Sequence, residues 1–127
     1  MKTTTPCLND EFCTFYGDDA PIIEATLYSL MSRFIEDYSG GFYTNLIDGN
    51  GFVLRFIDSD EKVNVVRTEN YSDGEMTMRD ASMAVFLYTL NWATWETEGR
   101  YNEAYYRCRD MALDHANKPE DIIKFLD

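Results

Sequence analysis

The longest helical pattern lies in the first third of the chain. Apolar residues recur there at intervals of three and four, which places them on one face of a helix. The stripe consists of Ile23, Leu27, Leu30, Met31, Phe34, Ile35 and Tyr38. Ala20-Pro21 after two aspartates is typical of a helix start, and Gly40-Gly41 is typical of a helix stop. We therefore predict one helix that runs from about residue 20 to the glycine pair.

The pattern changes to that of strands after the glycines. Segments 42–47, 51–57 and 62–67 are rich in β-branched and aromatic residues. Asp48-Gly49-Asn50-Gly51 contains two strong hairpin-turn steps, and a short acidic run at 58–61 joins the second segment to the third. The simplest topology is an antiparallel meander of three strands, with a fourth short strand near 71–76.

The second half of the chain is predicted to be helical. Thr77-Met78-Arg79-Asp80 resembles a capping box with Asp in place of Glu. The helix that follows is apolar on so many sides that we expect it to be central, with Trp92 and Trp95 in the core. A third helix is predicted over 101–116, and Lys118-Pro119 begins a short final one.

These patterns define an α+β fold in the order α-β-β-β-(β)-α-α-α. A three- to four-stranded antiparallel sheet packs with about four helices in a single domain, residues 18–127. Residues 1–17 are predicted to be an irregular N-terminal arm, held by its aromatic side chains. At 127 residues the chain buries enough surface for a core of its own.

The charge balance limits the partners. There are 23 acidic against 11 basic residues, and the net charge of −12 repels phosphate, so direct nucleic-acid binding is not expected. No run approaches the ~20 apolar residues that a membrane span needs. Two interpretations stay open: the acids simply keep the protein soluble, or they face a basic protein surface that normally grips DNA.

The cysteines and the amino terminus indicate the compartment. Three cysteines without a CxxC pair argue against a disulfide framework and for a reducing environment. The first residues lack the apolar core of a signal peptide. We therefore expect a cytoplasmic protein of a bacterial host cell.

No arrangement in the sequence points to catalysis. His115, the single histidine, lies late in a predicted helix, where a capping or surface role is expected. Carboxylate pairs such as Asp18-Asp19 arise by chance in so acidic a chain. We expect no enzyme, no cofactor and no metal site, with a small carboxylate-pair enzyme as the rival reading.

Three blocks of sequence together resemble the antirestriction protein family of the ArdB/KlcA type. Asp37-Tyr38-Ser39-Gly40-Gly41-Phe42-Tyr43 is similar to the family's D-Y-x-G-G-x-W, with Tyr43 in place of Trp. Asp48-Gly49-Asn50-Gly51-Phe52 is similar to S-N-G-G-F, with Asn and Gly exchanged. Arg109-Asp110-Met111-Ala112-Leu113-Asp114-His115 resembles a late R-D-x-A-x-x-H, followed by a helix that ends at Asp127.

The resemblance implies a non-enzymatic α+β protein that protects incoming phage or plasmid DNA from host type I restriction enzymes. Its partner would be a protein, either the restriction enzyme or an associated host factor. The candidate partner-binding or motif residues are Asp37, Tyr38, Gly40, Gly41, Tyr43, Asn50, Gly51, Asp110 and Asp127. The alternatives are an inhibitor of another defence system, such as an anti-CRISPR, and an acidic DNA-mimic or immunity-type binding protein.

Overall fold

The computed structural model describes residues 10–67 and 72–127 and has the predicted α+β fold. From α2 onward, the order of elements is the predicted one. The elements are α1 (Asp10–Tyr16), a 3-10 turn (Gly17–Asp19), α2 (Ala20–Phe34), β1 (Thr44–Ile47), β2 (Val53–Phe56), β3 (Lys62–Arg67), β4 (Ser72–Thr77), α3 (Met78–Glu96), α4 (Asn102–His115) and α5 (Pro119–Leu126).

Helix α3 is the central element, as its nearly continuous apolar surface predicts. Residues 80–87 are all buried, because α2, α4, α5 and β2 pack against different sides of the helix. The prediction of two core tryptophans holds in part for Trp92, which is half-buried and packs against the core, and is wrong for Trp95, which is 80% exposed. The helix extends beyond its neighbours after the buried Ala93, so the apolar periodicity continues where no packing partner follows.

The four strands form two separate antiparallel hairpins and not the single meander that the sequence suggests. In the first hairpin Thr44 lies opposite Phe56, and in the second Lys62 lies opposite Thr77. The cause lies in the connection between β2 and β3, which docks on the start of α3. The Met78 amide donates to the Glu61 carbonyl at 2.7 Å, and the Arg79 amide donates to the Ser59 carbonyl at 2.9 Å.

Side chains strengthen this attachment of the connection to α3. The Ile57 amide donates to Ser82 Oγ at 2.8 Å. The Arg79 guanidinium donates to one carboxylate oxygen each of Asp58 and Asp60, both at 2.8 Å. The acidic run that looks like a hairpin loop therefore binds a helix end, and it turns the chain away from β2.

Helix α2 ends at Phe34, six residues before the glycine pair that was predicted to stop it. Ile35 is extended (φ −112°, ψ 119°) and forms an isolated β-bridge with Val65 of β3. The Glu36 amide then donates to the Asn64 carbonyl at 3.0 Å. Pairing with a strand thus replaces the helical conformation, although the apolar stripe itself continues to Tyr38.

The N-terminal segment also differs from its prediction. Residues 1–9 lie outside the described part, but Asp10–Tyr16 form a helix rather than an irregular arm. Phe12 and Tyr16, one turn apart, are both buried in the core. The Tyr16 hydroxyl donates to the Val53 carbonyl at 2.7 Å. Anchoring of the segment through its aromatic residues is therefore accompanied by regular helical structure.

One cysteine takes part in a disulfide, although the sequence argues against a disulfide framework. Cys13 is disulfide-bonded, whereas Cys108 is free and buried. The expectation depended on the odd number of cysteines, which rules out complete pairing but not a single bridge. Burial raises the pKa of the Cys108 thiol to about 12, and the thiol donates to the Val53 carbonyl at 3.3 Å. It therefore stays protonated and structural.

The predicted cap at the start of α3 is present, and its acidic residue has a second role. Thr77 Oγ1 accepts from the Asp80 amide at 3.2 Å. The buried Asp80 carboxylate accepts from the amides of Asn117 and Lys118, at 2.9 and 2.8 Å. Asp80 therefore fixes the start of α5 against the start of α3.

Candidate functional site

Five of the predicted site residues lie together in residues 36–43, the segment between α2 and β1 that we call the motif loop. Its first residues are anchored to β3 through Glu36, and Asp37 is exposed. Asp37 has a φ of 58°, in the left-handed region that aspartate tolerates better than most side chains. The loop therefore leaves β3 through a sharp reversal of the backbone.

The two glycines of the motif loop are required for different reasons. Gly40 has a φ of 101°, which a residue with a Cβ rarely adopts. Gly41 has ordinary dihedral angles, but a Cβ at this position would lie 3.1 Å from Ile57 Cδ1. One glycine permits the turn and the other permits close approach to the core. Both are backbone requirements, although neither ends the helix.

Two tyrosines of the motif connect the ends of the loop. The hydroxyl oxygens of Tyr38 and Tyr43 lie 2.6 Å apart in a hydrogen bond, and both side chains are half-buried. The Tyr43 ring also packs against Tyr28 of α2, with ring centroids 4.9 Å apart. Desolvation, followed by the hydrogen bond from Tyr38, raises the pKa of Tyr43 above its usual value. Tyr43 therefore stays neutral, and its hydrogen bond with Tyr38 holds the loop closed.

A buried ion pair lies beneath these tyrosines. Glu24 of α2 and Arg55 of β2 are 0% and 5% exposed, and the guanidinium donates to Glu24 Oε2. Tyr28 Oη donates to the same carboxylate oxygen at 2.8 Å, and Arg55 Nε donates to Asn45 Oδ1 at 3.1 Å. The Arg55 guanidinium lies 4.2 Å from the Phe12 ring centroid. This network joins α1, α2 and both strands of the first hairpin under the motif loop.

The sequence analysis missed the Glu24–Arg55 pair, although the sequence contains a signal for it. Glu24 lies next to Ile23 in the apolar stripe of α2, one turn before Tyr28. Arg55 interrupts an otherwise apolar strand. Opposite charges inside two buried elements favour pairing, because an unpaired buried charge is strongly destabilising.

Phe42 is the outward-facing residue of the motif loop. Its side chain is 97% exposed, although it lies between Gly41 and the half-buried Tyr43. The loop thus presents a phenylalanine to solvent on a backbone that the tyrosine pair and Ile57 hold in place. A rigidly held, fully exposed aromatic residue is typical of a protein-binding surface.

Asn50 and Gly51 lie at the end of the first hairpin opposite to Tyr43. The strand that separates Tyr43 from this turn is about 16 Å long, from the rise per residue of an extended chain. Asp48 Oδ1 accepts from the Asn50 and Phe52 amides at 2.8 and 3.0 Å. Gly51 has a φ of 89°. These residues form the turn, and Asp48, which the site prediction left out, organises it.

The residues of the third sequence block lie on α4, and Asp127 lies at the end of α5. Asp110 is exposed on α4, and His115, in the last turn of that helix, is exposed as predicted. Asp127 is exposed at the end of α5 and close enough to Tyr105 of α4 to raise the pKa of that tyrosine, after desolvation. These residues therefore belong to the surface of the α4–α5 pair, and the motif loop is a separate surface.

Within residues 10–67 and 72–127, no three His, Cys, Asp or Glu side chains are grouped to hold a metal ion. No helix of this described part is long and apolar enough to cross a bilayer.

The chain is an α+β protein with two hairpins around a central helix. Its similarity to known proteins shows which family it belongs to. No protein-family model matches it. It is 35% identical over 97 residues to the uncharacterized protein YfjX of Escherichia coli K12, covering 73% of this chain and 63% of YfjX. It therefore spans less than two thirds of YfjX. It is also 33% identical over 110 residues to the uncharacterized protein YafX of the same strain, covering 84% of this chain and 71% of YafX. The chain belongs to the same protein family as YafX.

Proposed function

We propose that this protein is an antirestriction protein that protects incoming phage or plasmid DNA from host type I restriction enzymes. It acts without catalysis, by contact with the restriction enzyme or an associated host protein. Its place of action is the cytoplasm of the bacterial host. The support comes from the resemblance of the sequence blocks and from the geometry of the first block.

The observation that carries the proposal is the motif loop with its exposed Phe42. Gly40 and Gly41 shape the loop, and the hydrogen bond between Tyr38 and Tyr43 closes it. The Glu24–Arg55 network supports it from below. A binding loop that is ordered before association loses less conformational entropy when it binds. Phe42 then serves as the anchor that enters a pocket of the partner.

The charge distribution supports contact through a shaped surface over imitation of duplex DNA. A DNA mimic needs rows of unpaired acids at phosphate spacing. Here Arg79 pairs with Asp58 and Asp60, and Arg100 pairs with Asp19. These ion pairs interrupt the acidic surface, so contact at the motif loop is the preferred mechanism and mimicry is the alternative.

The test is a plating assay with a matched control variant. Expression of the protein should raise the plating efficiency of unmodified phage on a strain with a type I restriction system. Phe42→Ala should abolish most of that rise, because it removes the anchor without touching the core. Tyr106→Ala removes another exposed aromatic residue, on α4, and should leave the rise unchanged. Circular dichroism checks that both variants are folded.

Absence of any rise against several type I systems would contradict the proposal. Parallel plating on a CRISPR-immune strain separates the anti-CRISPR alternative, which predicts protection there and not on the restricting strain. Co-purification with one cognate toxin would instead favour an immunity-type protein. An equal loss in Phe42→Ala and Tyr106→Ala would remove the motif loop from the mechanism.

A further inference from the structure

A second exposed aromatic surface lies at the end of α3. There, a cleft of about 330 Å³ opens between the last two turns of α3, the start of α2 and the segment that leads into α4. We call it the tryptophan groove. The side chains that line it and are used in the argument are Asp19, Ile22, Trp92, Glu96 and Tyr101.

Large apolar side chains in and beside the groove are exposed to solvent. Ile22 and Trp92 line the groove, and they are 53% exposed and half-buried, respectively. Trp95 is 80% exposed and lies beside the groove, on the same helix. Trp92 and Trp95 are three residues apart on a helix, so their side chains are neighbours on its surface. Indole rings contribute more to binding than most side chains when they are covered by a partner. Both tryptophans were predicted to be core residues; Trp92 packs against the edge of the core, and Trp95 lies outside it.

The charges around the groove are mostly of one sign. Segments 18–23 and 92–101, which include its lining residues, contain four acids and one base, and two of the acids, Asp19 and Glu96, line the groove itself. The acids are Asp18, Asp19, Glu96 and Glu98, and the base is Arg100. Arg100 donates to Asp19 Oδ2 at 2.8 Å, so its charge is used within the protein. The remaining carboxylates leave a negative rim around an apolar floor.

The groove is held in shape by Asp19. The Tyr101 hydroxyl donates to Asp19 Oδ2 at 2.5 Å and thereby ties the start of α4 to the start of α2. The same hydrogen bond is the main cause of the lowered pKa of Asp19. The carboxylate is therefore ionised throughout the neutral range, and the hydrogen bond that shapes the groove persists there.

We infer that the tryptophan groove docks a cationic segment of a partner protein, one that places an apolar side chain against Ile22 and Trp92 in the groove and extends over Trp95 beside it. Charge complementarity selects this occupant. A second copy of this chain is disfavoured because each copy carries a net charge of −12 and would meet the acidic rim with its own acids. The inference does not depend on the antirestriction proposal, since the groove and the motif loop share no residue.

The experiment selects the occupant from a random library. Twelve-residue peptides displayed on phage are selected on the immobilised protein, and the enriched sequences are then tested against variants. We expect enriched peptides to carry net positive charge and at least one large apolar residue. They should lose at least about tenfold in affinity for Trp95→Ala and Ile22→Ser, as for hot-spot residues. Both side chains are exposed, so both variants should fold.

Two matched controls locate the binding. Phe42→Ala removes an exposed aromatic residue of the motif loop and should not alter the affinity, which also keeps this test separate from the plating assay. Glu96→Gln with Glu98→Gln should weaken binding and flatten its dependence on salt. Asp114→Asn with Glu120→Gln, which changes the net charge equally at exposed positions elsewhere, should do so much less.

Several outcomes would overturn the inference. They are a selection without enrichment, enriched peptides that are neutral or acidic, and an equal effect of the two charge variants. Sedimentation that shows self-association lost in Trp95→Ala would assign the groove to a second copy instead. Retention of full peptide affinity by Trp95→Ala and Ile22→Ser would show that the peptides bind elsewhere.

Discussion

Two buried carboxylates connect elements of this fold in two different regions, and they are stabilised in different ways. Glu24 lies under the motif loop and is paired with Arg55, with Tyr28 as a further donor. Asp80 lies at the junction of α3 and α5 and accepts from two backbone amides. The first is held by side chains of α2 and β2, and the second mainly by the backbone that it caps.

The difference shows how each region responds to change. A charge held by another buried charge is exposed to every substitution of its partner, because the survivor is left uncompensated. A carboxylate held by amides has partners that substitution cannot remove, so only its own loss matters. The Glu24–Arg55 pair under the motif loop is therefore more sensitive to substitution of its partners than the Asp80 contacts are.

The largest effect is expected at the ion pair. Arg55→Met should lower the free energy of unfolding by about 3–5 kcal/mol, because it leaves Glu24 buried and unpaired. Urea denaturation followed by circular dichroism measures this. The double variant Glu24→Leu with Arg55→Met should recover most of the loss. If Arg55→Met alone cost under about 1 kcal/mol, Glu24 would not depend on its buried partner more than Asp80 depends on its amides.

A smaller effect is expected at the junction. Asp80→Ala should cost about 2–3 kcal/mol, since two partly buried amides lose a charged acceptor. Asp80→Asn keeps one acceptor oxygen and should cost less. Hydrogen exchange of the Asn117 and Lys118 amides gives the local readout, and unchanged protection in Asp80→Ala would contradict the role of the carboxylate.

The two glycines of the motif loop should differ from each other. Gly40→Ala should cost about 1–2 kcal/mol, because alanine is strained at a positive φ. Gly41→Ala should cost below about 1 kcal/mol, because the new Cβ meets only the mobile end of Ile57. Thermal unfolding of the two variants side by side tests the order, and the reverse order would contradict the assigned roles.

The smallest effect concerns the tyrosines, and it appears at high pH. The pKa of Tyr101 is raised to about 12, and the pKa values of Tyr28 and Tyr43 are raised as well, mainly by desolvation. A folded-state pKa above the unfolded value near 10 gives stability that is complete below pH 10 and is lost as the pH rises towards the folded pKa. Stability should therefore fall between about pH 10 and 12.

Tyr43→Phe should weaken this pH dependence and cost about 1 kcal/mol at pH 7, where only its hydrogen bond is lost. Absorbance at 295 nm reports ionisation, and circular dichroism reports unfolding. Ionisation of all tyrosines near pH 10 without loss of structure would contradict the burial of their hydroxyl groups.

Much of the fold was predictable because local patterns and tertiary packing agree. The helices after the hairpins, the turn at Asp48 and the cap at Thr77 follow from apolar periodicity and from turn and cap chemistry. The end of α2 was not predictable in this way. Ile35 fits the helical stripe and equally fits a bridge to Val65, and only the tertiary structure chooses the bridge.

The candidate site was predictable in part for the same reason. The motif residues 37–43 are close in sequence, so their common location follows directly. The support from Glu24 and Arg55 spans 31 residues and depends on the packing of α2 against the first hairpin. The exposure of Trp95 likewise depends on where the neighbours of α3 end, which periodicity does not encode.

The docking of the β2–β3 connection on α3 has a consequence for how the molecule opens. The hairpins do not form one sheet, and the most extensive contacts between different units of the fold run through α3. The second hairpin, which is the less buried of the two, can then detach while the fully buried β2 keeps the first hairpin on the helix. The amide protons in the buried part of α3 should therefore be among the last to exchange.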